Sequence, residues 1–489
     1  MRNPKAVLNS LARKAKDDRY KFRRLYRNFY NEEFFWLALN RLSARKGVVD
    51  RTAGERGMDG TCAGKIRTII EKLKDQTYQP VKVCATKVGT KHPPRSPAID
   101  DLLVQEVCRM ILEAIFEGSF SDESHGFRPG RSCHTALMHI RERFTGVRWF
   151  IQGNLGGVFE NIDHQKLVEI LKKRIEDERF VNLIRKFLRA GYLKDWRYHG
   201  TYSGTPQGGI IGPVLTNIFL DRLDKHVADI RERFEGSGFQ PNPTGAGPTD
   251  GGNKRLRHVR YADRFLIGII GSKADARRIR EEIAAFARER LNVSLPEENL
   301  LITHSSEPVR FLAHDIVIPR PDVVPGGTSG TGARLDNMRC RLCVPKETWM
   351  NRLLQLKVLK IDEKGRWRAM HLPRLARLED VEILNVYNAE IEGLYNYYRL
   401  ADNVNVLRKF FYIMKYSMYK TFAGKYKTSV SRILGRYLRD GRFTVEYRTK
   451  SGMKRAVLYD RGFKRDTRVL PEEADLLPGG FSHKRMPGT

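Results

Sequence analysis

Two hydrophobic periods divide this chain. Helical spacing of apolar residues recurs in VQEVCRMILEAIFEGSF, HQKLVEILKKRI and SKADARRIREEIAAFARERL, and later, with few breakers, in VEILNVYNAEIEGLYNYYRLA and NVLRKFFYIMKYSMYKTFAGKY. Short apolar runs predict strands in WFIQGN, ending at Asn154, at His258 to Tyr261, at Phe265 to Ile270, and along VRFLAHDIVI. Tyr261-Ala262-Asp263-Arg264 joins the second and third runs and reads as the tip of a β-hairpin, where an exposed turn can hold catalytic groups. Asp163 stands just before the run HQKL and reads as a helix N-cap. The Gly/Pro-rich stretches at 235–254 and 319–334 read as a loop and an interdomain linker. The order of elements predicts an α+β core followed by an all-helical basic domain.

Charge sharpens that outline. The 489 residues carry a formal net charge of +32, spread along the chain rather than gathered in a tail, which points to a polyanionic partner. Aromatic and basic residues mix in YRNFYNEEFFW, YNYYRL and KFFYIMKYSMYKTFAGKYK, a composition that as a set suits stacking bases while cations follow the phosphates, although any one of these rings taken singly reads better as helix core. There is no run of about 18 apolar residues, so no membrane helix is expected. The basic start contains Asp17 and Asp18 and lacks the apolar core of a secretory signal, so a cytoplasmic location is expected. The six scattered cysteines fit reduced thiols. Cys340 and Cys343 have metal-like spacing but no second ligand pair, so the spacing is read as chance.

Three segments carry the candidate chemistry. SHGFRPGRSCHTAL (124–137) sets Arg128 and Arg131 on a Pro/Gly turn ahead of a helix. WFIQGNLGGVFENIDH (149–164) is a strand, a turn and an aromatic. GTPQGGIIGPVLTNIFLDRLD (204–224) sets a Gly/Pro turn with Gln207 and Gly208 ahead of a long amphipathic helix, its glycines allowing close approach of a backbone.

In this order, with YADR, the segments resemble the reverse transcriptases encoded by bacterial group II introns, and the resemblance covers nearly the whole chain. It implies a right-hand, polymerase-like α+β fold: an N-terminal extension over 1–59, fingers and palm over 60–318, a linker over 319–343, a helical thumb or maturase domain over 344–465, and a tail over 466–489. It implies group II intron RNA as partner, with an RNA/DNA hybrid as a second nucleic-acid ligand. Arg128, Arg131, Gln207, Gly208, Lys415, Lys420, Lys425 and Lys427 are the expected nucleic-acid contacts. The chain ends at KRMPGT without the HNH endonuclease that many relatives carry, so target-strand cleavage is not expected.

The resemblance also shows what is altered. The family's palm holds magnesium with three aspartates, and these fall on Asn154, Asp263 and Arg264 of this sequence, so only Asp263 is retained. At about 4 Å and an effective dielectric of about 20, the misplaced positive charge of Arg264 is worth roughly 4 kcal/mol of the wrong sign. TKVGTKHPPRSP puts His92 and Arg95 where the family contacts the triphosphate. Asn299 stands where it has lysine, Ala313 where it has glycine, and Val158 and Glu160 alter the end of the first palm motif. The expectation is a catalytically silent, RNA-binding splicing cofactor. Magnesium is required only if polymerase activity persists, for example in an altered site using Asp263, Asn154 and Asp163. A decaying mobile element's product is the third reading.

Overall fold

The computed structural model describes residues 2–44, 61–80, 83–85, 99–156, 158, 162–190, 192–194, 197–199, 209–236, 254–319, 339–449 and 452–470. The chain divides into two compact units, one of 1–128 with 151–302 and one of 129–150 with 303–489.

The first unit is built around helix and sheet. Helices α1 (Pro4–Ala15) and α2 (Glu32–Ala44) pack on α3 (Ile99–Phe116), which is buried along nearly its full length. Phe22, Leu25, Phe29, Phe34 and Phe35 are all at most 1% exposed, so the aromatic segment read as a base-stacking surface is core instead. Residues 2–44 are thus integral to this unit. Helix α4 (His164–Lys172) begins where Asp163 accepts from the Gln165 and Lys166 amides, which bears out the N-cap reading. The long helix α5 (Gly212–Gly236) packs on strand β2 (Arg255–Tyr261), on α4 and on α6 (Lys273–Leu291). A Ser272–Asp275 capping box starts α6, and Asn292 in the left-handed region ends it.

A four-stranded sheet positions the site. Its spatial order is β2, β3 (Arg264–Ile270), β1 (Trp149–Asn154) and β4 (Leu300–His304). Strands β2 and β3 pair antiparallel from Arg255↔Ile270 to Tyr261↔Arg264, leaving Ala262 and Asp263 as a two-residue turn, as the sequence predicts. Gly153 lets β1 close onto β3: a Cβ there would lie 2.0 Å from the Phe265 ring.

The second unit holds the helical C-terminal region. Helices α7 (Lys346–Gln355), α8 (Asp380–Tyr398), α9 (Leu407–Lys425) and α10 (Val430–Tyr437) supply most of it, with α8 and α9 packed together. It is not all-helical, however. Strands Arg442–Thr449 and Gly452–Val457 form a hairpin against α8, and Leu359–Ile361 pairs with Trp367–Ala369. VRFLAHDIVI is likewise two strands, Val309–Phe311 and His314–Val317, which turn at Leu312 and Ala313. Arg341–Cys343 adds a third strand to that hairpin, with Arg341 opposite Val317, so the last residues of the expected linker belong to a sheet. At the other end of the domain, Asp466 donates its amide to the Arg399 carbonyl and pairs with the Arg399 side chain. The expected tail therefore remains structured through Leu470.

Candidate functional site

The sheet brings Asn154 and Asp263 together at one end. The Leu155 amide, immediately after β1, donates to the Asp263 carbonyl at 2.8 Å, fixing the end of one strand against the hairpin tip. Asn154, Asp263 and Arg264 are all half-buried. Asn154 Oδ1 is shielded from solvent without a hydrogen-bond partner among the described residues. Phe127, 51% exposed, lies near the Tyr261 ring at the same tip.

The tip is held from beneath by a residue that sequence reading passed over. Arg260, fully buried, forks onto Asp224 at 2.8 and 2.7 Å and donates to Asn217 Oδ1 at 3.1 Å, Ser124 Oγ at 2.7 Å and the Ala262 carbonyl at 2.9 Å. Ala262 sits in the left-handed region at φ 55, a conformation unfavourable for an L side chain. The Arg260–Ala262 bond stabilises it. Asn217 Nδ2 also donates to the Gly126 carbonyl at 2.8 Å, and a Cβ at Gly126 would lie 2.4 Å from the Ala262 amide, so this segment closes directly on the turn. The sequence signal was an arginine next to the turn in RLRHVRY, with Asp221 and Asp224 one turn apart on the preceding helix.

Arg260 holds the tip, but the tip's donor set does not fit a two-magnesium centre. Hard divalent cations take anionic oxygens, and such a centre needs several. Here the three positions offer one carboxylate, one neutral amide and one guanidinium. Asp163, the alternative carboxylate, is occupied by two backbone amides and by Asn292 Nδ2 at 3.2 Å. Although burial alone would raise its pKa, these bonds hold it below the usual aspartate range. Among the described residues, no group of three histidine, cysteine or acidic side chains converges, at Cys340 and Cys343 or elsewhere.

Several expected nucleic-acid contacts have protein partners. Arg128 is buried and donates to Glu117 Oε1 at 2.9 Å and to the Ser121 and Ser124 carbonyls at 2.6 and 2.8 Å; it braces the turn and is not available to phosphate. Lys420 donates to the Ala369 carbonyl at 2.8 Å. Lys425 donates to the Leu378 carbonyl and to Asp380, each at 2.7 Å. These two lysines staple α9 to its neighbours. Lys415 is half-buried over the Phe411 and Tyr419 rings, Lys427 is exposed, and Arg131 is half-buried. Gln207, Gly208, His92, Arg95 and Glu160 lie outside the described residues.

A palm-type sheet with an aspartate at its hairpin tip, joined in one chain to a basic helical region, defines the reverse-transcriptase class of right-hand proteins. Residues 87–316 match the reverse transcriptase (RNA-dependent DNA polymerase) family, and 338–455 match the type II intron maturase family. The chain is 37% identical to the group II intron-encoded protein LtrA of Lactococcus lactis subsp. cremoris, over 89% of this chain and 80% of that protein. It is 30% identical to the putative COX1/OXI3 intron 2 protein of Saccharomyces cerevisiae, over 85% of this chain and 53% of that one. It is 29% identical to nuclear intron maturase 2, mitochondrial, of Arabidopsis thaliana, over 67% and 53% respectively. The chain belongs to the group II intron-encoded reverse transcriptase and maturase family. No described helix is long and apolar enough to cross a membrane.

Proposed function

We propose that this protein is a splicing cofactor that binds group II intron RNA and no longer synthesises DNA on an RNA template. The observation that carries the reading is the set of residues at this end of the sheet: Asn154, at the end of β1, and Arg264, beside Asp263 in the hairpin, stand where the family has carboxylates. Binding needs none of the missing charge. Basic side chains neutralise phosphates, aromatic rings stack on unpaired bases, and the RNA conformation that makes most contacts is favoured over its competitors. An RNA/DNA hybrid is a weaker ligand of the same basic surface. The setting is a reducing bacterial cytoplasm, a reading supported by Cys62, Cys108, Cys133, Cys340 and Cys343, which are all free thiols.

A second reading rests on the open Asn154 Oδ1, which together with the Asp263 carboxylate could hold one cation for residual polymerisation. Primer extension on an annealed RNA template with magnesium, run beside a splicing assay on intron precursor RNA, separates the two. The proposal expects accelerated splicing and no extension above background. Template-dependent extension that Asp263→Ala abolishes favours the second reading.

A further inference from the structure

The basic–aromatic segment of α9 sorts into two faces. Phe410, Met414, Ser417, Met418 and Phe422 are buried, whereas Arg408, Tyr412, Tyr416 and Lys420 are exposed at successive intervals of four residues and form one line along the helix. Tyr412 is 56% and Tyr416 38% exposed, and their ring centroids lie 4.6 Å apart. In the other aromatic segments the rings are mostly core: Tyr26, Phe29, Phe34, Phe35, Tyr397 and Tyr398 are at most 6% exposed. The tyrosine pair stands apart from them.

Charge complements the pair. The helix LRKFFYIMKYSMYKTFAGK contains five basic residues and no acidic one. Lys409 is exposed one turn before Tyr412, and among the described residues neither Arg408 nor Lys409 pairs with a carboxylate. Lys409 also lines a groove of about 420 Å³ walled by Trp349 and Trp367, within the size range of small-ligand sites. Exposed tyrosine rings, with cations beside them that have no carboxylate partner among the described residues, match the chemistry of an unpaired nucleic-acid strand: every base has a face to stack and every nucleotide carries a negative charge. A duplex hides those faces inside its own stack.

We infer that Tyr412 and Tyr416, with Arg408 and Lys409, form a docking track for single-stranded RNA on α9. The inference rests on the RNA-binding reading above and narrows it to one surface and one RNA conformation.

The test is fluorescence anisotropy of the full-length protein with a homopyrimidine RNA of about 12 nucleotides, single-stranded and as a duplex. Both tyrosines are exposed, so their replacement should leave the fold intact, and circular dichroism and thermal melting check this. Tyr412→Ala with Tyr416→Ala is expected to weaken single-strand binding by roughly fivefold or more, the loss of one stacked base at the least. Tyr412→Phe with Tyr416→Phe keeps the ring faces and should stay within about twofold of wild type, and duplex affinity should not change. Equal single-strand affinity of the alanine variant and wild type overturns the track, as does an equal loss on single strand and duplex. If wild type fails to promote splicing yet shows the tyrosine-dependent single-strand preference, the splicing reading fails and the track stands.

Discussion

Ala313 is an L side chain in backbone that favours glycine. Leu312 and Ala313 both lie in the left-handed region, at φ 46 and 55, in the turn between two short strands. Three bonds hold the turn: Tyr397 OH and His314 Nδ1 to the Leu312 carbonyl at 2.9 and 2.8 Å, and Tyr398 OH to the Ala313 carbonyl at 3.1 Å. Glycine adopts this conformation without strain, so Ala313→Gly should raise stability by about 1 kcal/mol in urea denaturation; an unchanged or lower midpoint contradicts the strain. His314, the first residue after that turn, is fully buried, and burial pushes its pKa down to about 4. Its Nδ1–H donates to the Leu312 carbonyl, and its Nε2 has no partner among the described residues, so a second proton would find no acceptor among them. Because the unfolded chain takes up that proton near pH 6.5 and the folded chain only near 4, stability should fall as pH drops through this window, by about 3 kcal/mol in all. Melting curves of wild type and His314→Phe test this: the variant should lose that slope, and parallel curves rule out His314 as its source. At the palm, Asn154→Asp with Arg264→Asp restores two of the altered positions but leaves His92 and Asn299, so little polymerase activity should return. Robust primer extension by the revertant would show those other substitutions to be neutral.

Among the elements, the hairpin is the part of the site most legible in sequence, and Arg260 the part least so. Apolar runs bracketing a two-residue turn gave the strands, and apolar spacing of three and four gave the helices, because those patterns are local. The fate of a charge is not local. Arg128 looks like a surface cation until the fold buries it against Glu117, and Lys420 and Lys425 gain the Ala369 carbonyl and Asp380 as partners. The hairpin of Arg442–Thr449 and Gly452–Val457 escaped notice because its outer residues are charged and largely exposed, which blurs the alternation of a half-buried strand. Arg260 and Asp224 are both essentially excluded from solvent. Removing the guanidinium leaves a buried carboxylate without its counter-ion, so Arg260→Ala should cost about 3 to 5 kcal/mol, measured by denaturant unfolding. A loss below about 1 kcal/mol would mean that the turn is held by its other contacts.

For the molecule as a whole, the charge of +32 indicates a polyanionic partner but does not separate a polymerase from an RNA-binding cofactor, since both grip phosphates. Most aromatics that suggested base stacking prove to be core, which leaves the surface between Lys409 and Tyr416 to carry that idea. The two activities part only at Asn154, Asp263 and Arg264. The most direct measurement therefore uses one preparation of the full-length protein in one magnesium buffer, scored for splicing of intron precursor RNA and for cDNA made from a primer annealed to RNA. Accelerated splicing without cDNA, unchanged by Asp263→Ala, is the predicted result; cDNA that disappears with Asp263→Ala contradicts it.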